Sequence, residues 1–266
     1  MPENNPCTEL EKNVLYGVVV TSKCPMQKSD FFRKIQANIA ATGYHVTVVT
    51  GGALPRYAYT IGGKDLVGAE FVFAGGEAYS QAQVGEILQA FINWATQAPA
   101  WQPTALAVGS LGHFSVVQAD ASWSKRLLLG AFDYYQQAAI PVWQIVPDSP
   151  HRTLDIPDMS SVFDVAAQPV WQWLARHWDY PVPEESMAIT HLPVLFGQPA
   201  LEVMRWETEE WEIFAGAGPE VPKAEMRIVP LGVLLGLDTA LERAIHLPVG
   251  KGLWRAEGER EWHKWA

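Results

Sequence analysis

The sequence predicts an α+β fold: a mixed or antiparallel sheet with packed helices, followed by a small C-terminal α+β domain. Three observations carry this reading. Strand-length apolar runs outnumber amphipathic helical stretches and do not alternate with them one to one, which disfavours a doubly wound sheet. Eight prolines fall between Pro147 and Pro199, a density that blocks long helices and marks connecting chain. Beyond them the chain changes style, with short strands and short helices in close succession. At 266 residues and 48% hydrophobic, it can bury a sizeable core.

Residues 1–13 are polar and read as a tail. Val14–Val20 (VLYGVVV) has the length and continuous apolarity of an interior strand. Ser29–Thr42 reads as a helix, with Ser29 as N-cap, Phe32, Ile35 and Ile39 on one face, and Gly43 as left-handed C-cap. Val46–Val49 is the next strand, and Tyr57–Ile61 and Glu70–Ala74 follow as a strand pair. Gly62, Gly63, Lys64 and Asp65 suit an exposed turn between them. Ser80–Gln97 carries one apolar stripe: Val84, Ile87, Leu88, Phe91, Ile92 and Ala95. Ser80 with Gln83 makes a capping box, and Pro99 closes the far end. Thr104–Val108 and Phe114–Ala119 read as strands. Lys125–Gln137 reads as a helix with Leu128, Ala131, Phe132 and Tyr135 inward, and Ile140–Val146 as a strand ending at Pro147-Asp148.

These elements define a first domain over residues 14–160. A Pro-rich connector spans 161–190, with a short helix at Val170–Trp178 and the boundary near residue 185. The C-terminal domain covers 191–266. In it, Leu201–Trp206 and Trp211–Phe214 read as a hairpin, and Leu231–Leu235 and Thr239–His246 as short helices.

Composition narrows the function. The net charge is −10 with no basic stripe, which argues against nucleic acid and suits a basic protein partner. Twelve tryptophans imply large cores or an aromatic contact surface. Cys7 and Cys24 are too few for a disulfide framework and lack ligand spacing, so no structural metal is expected. The polar, acidic start and the lack of any membrane-length apolar run predict a cytoplasmic protein with no membrane partner. Nothing in the pattern specifies an oligomeric state.

Catalytic and cofactor motifs fail on inspection. Gly63-Lys64 is followed by Asp65 and Gly250-Lys251 by Gly252, so no P-loop exists. Val221 stands where a dinucleotide-binding third glycine belongs, and Val108 spoils a nucleophile elbow around Ser110. No cofactor is expected, and the residues favour a non-enzymatic interaction protein.

Two sets of candidate site residues remain. Tyr59, Thr60, Gly62 and Gly63 combine hydroxyls with a glycine turn that lets a ligand approach the backbone, although ordinary strand residues and a plain turn would look the same. Glu70 would serve as a general base only if burial raised its pKa; as a surface or capping carboxylate it needs nothing. His113 could lie at the same sheet edge. Gln144 alternates into a strand and needs a partner if buried. Asp148 is suited to an Asx-turn, or to pairing with His151. For a protein partner, the acidic hairpin Glu207, Glu209 and Glu210, flanked by Trp206 and Trp211, combines charge with aromatic anchors.

The stretch YAYTIGGKDLVGAEFVFAGG (57–76) resembles the core motif of the bacterial domain of unknown function 4262 family, a YTxGL-like strand, a GHPEL-like segment and a second strand. FDYYQQAAIPVWQIVPDSPHR (132–152) extends the resemblance, which covers roughly residues 13–160. It implies a fold and no established activity. Glu70 and Asp148 match family positions, whereas Gly68-Ala69 replaces the family's His-Pro, so any role of that histidine is lost here. Trp211, Phe214, Asp238, Pro248, Gly250 and Arg255 resemble the pattern of an immunity-protein 33-type domain, which would imply a protein that binds and blocks a toxin.

Overall fold

The computed structural model describes residues 17–20, 28–98 and 105–265. The expected tail, residues 14–16 of the first expected strand, Cys7, Cys24, Pro99 and Thr104 lie outside the described residues. In chain order, β1 (Gly17–Val20), α1 (Lys28–Thr42), β2 (His45–Thr50), β3 (Tyr57–Ile61), α2 (Gly63–Val67) and β4 (Glu70–Ala74) come first. Next are α3 (Gln81–Gln97), β5 (Leu106–Ala107), β6 (His113–Gln118), α4 (Ala121–Leu127), α5 (Leu129–Tyr135) and β7 (Val142–Pro147). These strands form a seven-stranded sheet in the order β1-β2-β3-β4-β7-β6-β5. It is mixed: β1–β2 and β4–β7 pair parallel, the other neighbours antiparallel.

A second mixed sheet follows, built from β8 (Met187–His191), β9 (Glu202–Arg205), β10 (Glu210–Phe214), β11 (Met226–Pro230), β12 (Lys251–Trp254) and β13 (His263–Lys264). Its order is β11-β8-β10-β9-β12-β13. Two short helices, α6 (Leu192–Leu195) and α7 (Leu231–Leu237), accompany it, with 3₁₀ turns at Pro169–Leu174 and Thr239–Arg243. The fold class is α+β, as the pattern of runs implies.

α3 begins where its capping box predicts. Ser80 Oγ accepts from the Gln83 N–H, and the Gln83 side chain accepts from the Ser80 N–H. Its buried stripe, Ile87, Leu88, Phe91 and Ala95, packs on one face of the first sheet against Val46, Val48, Ala58, Phe71, Phe73 and Ile145. The opposite face carries Tyr57, Tyr59, Ile61, Val72 and Ala74. That face shares one continuous core with Trp123, Trp171, the α7 leucines, and Ala188, Val203, Trp211, Ile213 and Val229 of the second sheet.

Several elements differ from expectation. The turn after β3 is the helix α2, bounded by left-handed Gly62 (φ 103°) and Gly68 (φ 89°), and Gly63 within it is buried. α1 starts at Lys28, so Ser29 lies in its first turn and is not its N-cap. The helix expected over 125–137 starts earlier, at an Asp120 cap, and breaks at Leu128 into α4 and α5. The break lets Gly130 lie directly on Tyr59, whose hydroxyl accepts from the Gly130 N–H at 3.1 Å. A Cβ there would stand 2.7 Å from that hydroxyl. β8 begins inside the expected connector, and β11 has no counterpart in the sequence reading.

Candidate functional site

The β3–α2–β4 segment closes on Glu70. Glu70 is fully buried. Its Oε1 accepts from the Gly62 N–H at 3.1 Å, the Lys64 N–H at 3.0 Å and the Tyr135 hydroxyl at 2.5 Å. Its Oε2 accepts from the Thr60 hydroxyl, which in turn accepts from the Phe71 N–H at 2.9 Å. The Gly62 N–H is shared with the Tyr135 hydroxyl at 2.8 Å. Gly63 has to be glycine: a Cβ would stand 2.8 Å from the Ala69 carbonyl oxygen and 2.9 Å from Glu70 Oε2. Lys64 Nζ lies 4.8 Å from the Tyr135 ring centroid, a cation–π contact that covers the cluster.

Burial pushes the Glu70 carboxyl up to about 7, against the pull of its four donors. The raised pKa that a general base requires is therefore present. Access is missing: the carboxyl is fully buried, Oε1 takes three donors and Oε2 the Thr60 hydroxyl, all from within the fold. Glu70 is a brace that ties β3, α2, β4 and α5 together. Burial also lifts the Tyr59 phenol to about 12, which keeps it a neutral hydrogen-bonding group.

His113 does not join this cluster. Glu70 pairs with Val142 at the start of β7, whereas Phe114 pairs with Pro147 at its end. Five residues of strand separate them, about 17 Å. A pocket combining Tyr59, Thr60, Glu70 and His113 does not form. His113 sits instead with Asp148 and His151 on the surface. Its N–H donates to Asp148 Oδ2 at 3.2 Å, and its Nδ1 lies 3.7 Å from the same oxygen. His151 Nδ1 is 2.5 Å from Asp148 Oδ1, and this hydrogen bond holds the Asp148 carboxyl below its usual range. Of the two readings of Asp148, the structure has the pairing with His151 and not the Asx-turn: its side chain makes no cap bond to the 3₁₀ turn it precedes, and Pro150, two residues on, has no N–H to donate. Among the described residues, no group of three or more His, Cys, Asp or Glu is arranged to hold a metal ion. Gln144 is buried with a partner for each end of its amide: it donates to the Pro157 carbonyl at 2.8 Å and accepts from the Met159 N–H at 3.0 Å.

Two buried acids escaped the sequence reading. Glu77 accepts from the Arg56 N–H at 2.7 Å, and its own N–H donates to Asp155 Oδ2 at 2.9 Å. Arg56 also donates to the Tyr79 carbonyl at 2.6 Å. Burial raises both carboxyls above their usual range. Arg227 of β11 reaches the same loop, its Nε donating to the Ala78 carbonyl at 2.9 Å. A crevice of about 310 Å³ lies alongside, lined by Arg56, Glu77, Tyr79, Gln83, Arg227 and Ile228. The one local signal was a carboxylate directly after Gly75-Gly76 at the end of a strand. Its partner lies 78 residues away, beyond any spacing rule.

The acidic hairpin forms as expected, but its two tryptophans part ways. Trp206 is 51% exposed and its indole N–H donates to Glu212 Oε2 at 2.8 Å. Trp211 is buried in the shared core under the Arg205 guanidinium, 5.1 Å from its ring centroid, so it is not a partner anchor. The strand registers explain the split. Trp211 pairs with Ala188 on the inner face, whereas Ile228, Ile189, Glu212 and Met204 line up across the outer face. Trp254, opposite Glu202, shares that outer face, and Trp265 lies over Gly252. Glu207, Glu209 and Glu210 are exposed at its edge.

No curated protein and no solved structure matches the chain. Residues 38–153, which hold the Glu70 cluster, Glu77, His113, Gln144 and Asp148, match a family model described as a domain of unknown function, DUF4262. The matched span contains both stretches that carry the resemblance, residues 57–76 and 132–152, so this part of the chain is similar to that family.

Proposed function

We propose that this protein is a binding module that captures a basic protein partner on the outer face of its second sheet. The observation that carries the reading is the exposure of large apolar side chains on that one face. Ile228 is 66%, Ile189 37%, Trp206 51%, Trp254 42% and Trp265 43% exposed. Soluble proteins seldom gather such residues on one face except where something docks. Glu207, Glu209 and Glu210 border the patch and Glu212 lies within it; together they supply long-range attraction for positive charge, while the indoles supply anchors. The immunity-like form of the proposal makes the partner a basic toxin, bound and blocked in the cytoplasm.

The rival reading, an enzyme or small-ligand binder at Tyr59, Thr60, Glu70 and His113, is disfavoured by the full burial of Glu70 among partners from the fold and by the distance to His113. The test is affinity capture from native lysate with the wild-type chain and the Ile228→Arg and Trp206→Ala variants. A Lys/Arg-rich protein retained by the wild type and lost from both variants is the expected outcome. Identical capture by all three would refute the assignment of this face.

A further inference from the structure

A cavity of about 540 Å³ opens between the Gly197–Pro199 turn and the 3₁₀ turn Thr239–Arg243. Among its lining residues are Arg243, Arg255, Arg260 and Asp238. On a chain of net charge −10, this pocket therefore concentrates positive charge.

Arg255 is the organised part. It is only 6% exposed and is held on three sides. Its Nε donates to the Ala200 carbonyl at 2.6 Å, its Nη2 donates to Asp238 Oδ2, and its guanidinium lies 4.6 Å from the Trp262 ring centroid. Its Nη1 donates to no described residue. Asp238 spends both oxygens within the fold, because its Oδ1 accepts from the Ala240 N–H at 2.9 Å. Its charge is thus matched by Arg255 alone. Arg243 and Arg260 are exposed at the rim and make no ion pair among the described residues. The result is a pre-oriented guanidinium edge with two further cations, in a cavity whose size lies within the range of small-molecule sites.

We propose that this cavity binds a small molecule bearing a phosphate or carboxylate group, with Arg243, Arg255 and Arg260 contacting the anion. A planar guanidinium with free N–H groups is the donor best matched to either group. The cavity is formed by the C-terminal part of the chain and does not depend on a partner at the outer sheet face.

Calorimetric titration of the full chain with pyrophosphate and, separately, with citrate at constant ionic strength tests the proposal. Saturable one-site binding of either probe is expected, and the probe that binds identifies the group as phosphate or carboxylate. The Arg243→Gln/Arg260→Gln double variant should weaken that binding at least tenfold while its unfolding midpoint without anion equals that of the wild type. Both residues are exposed and unpaired, so the fold does not rest on them; Arg260→Gln alone, with a smaller loss, provides the second reading. Failure of both probes to saturate, or equal binding by wild type and variants, would overturn the proposal.

Discussion

Glu70 is a carboxylate with no solvent and four donors, and its behaviour is set by which of these dominates. Burial dominates, and the carboxyl rises from an ordinary 4.5 to about 7. The folded state therefore retains a proton that the unfolded chain has already released. The stability contributed this way is complete below pH about 4.5 and is lost as pH rises through about 7. The whole effect is about 3 kcal/mol. Glu77 and Asp155 are raised in the same direction, so the wild-type curve contains their contributions too. The difference between the wild type and Glu70→Gln isolates Glu70. Denaturation at several pH values should show the wild type losing stability relative to the variant between pH 4.5 and 7. Parallel curves would contradict the raised pKa. The strand position of Glu70 was legible in the sequence, because the run from Glu70 to Ala74 is continuous and apolar. Its environment was not, because its donors come from residues 60, 62, 64 and 135. Trp206 and Trp211 show the same limit. Both suit a strand, and only the layer packed on each side of the sheet decides which one is buried.

At the scale of elements, α3 was the most readable part of the chain, since its cap, its stripe and its burial all agree. Leu88 is fully buried between α3 and the first sheet. Leu88→Ala should therefore cost about 2–5 kcal/mol, read as a lower denaturation midpoint at unchanged slope. A midpoint equal to that of the wild type would contradict the packing. The elements that periodicity misread are those shaped by contacts from elsewhere. The 125–137 helix has a good apolar stripe, yet it breaks at Leu128, where Gly130 packs against Tyr59. The glycine turn after β3 winds into α2 because Glu70 accepts from two of its backbone N–H groups. β8 and β11 are short and flanked by prolines, and each borrows its order from a strand distant in sequence.

For the whole molecule, the two sheets do not bury their faces equally. The first sheet is covered on both sides, by α3 on one and by the shared core on the other. Among the described residues, the core of the second lies on its inner side, with Trp211 and Val229, and its outer side, apart from Trp265 over Gly252, presents Ile228, Ile189, Trp206 and Trp254. That asymmetry, with glutamates along the patch, is what the proposed function rests on. The acidic charge and the tryptophan count pointed to an aromatic, charged surface. The pairing of strands from residues 187 to 264 determines where that surface is.

The central claim is tested most directly by association and dissociation kinetics of the captured partner, measured at low and high salt. The account predicts that Glu209→Lys/Glu210→Lys slows association and flattens its salt dependence, while Trp206→Ala leaves association nearly unchanged and speeds dissociation at least tenfold. Rates that match the wild type in both variants, with the fold intact, would contradict it.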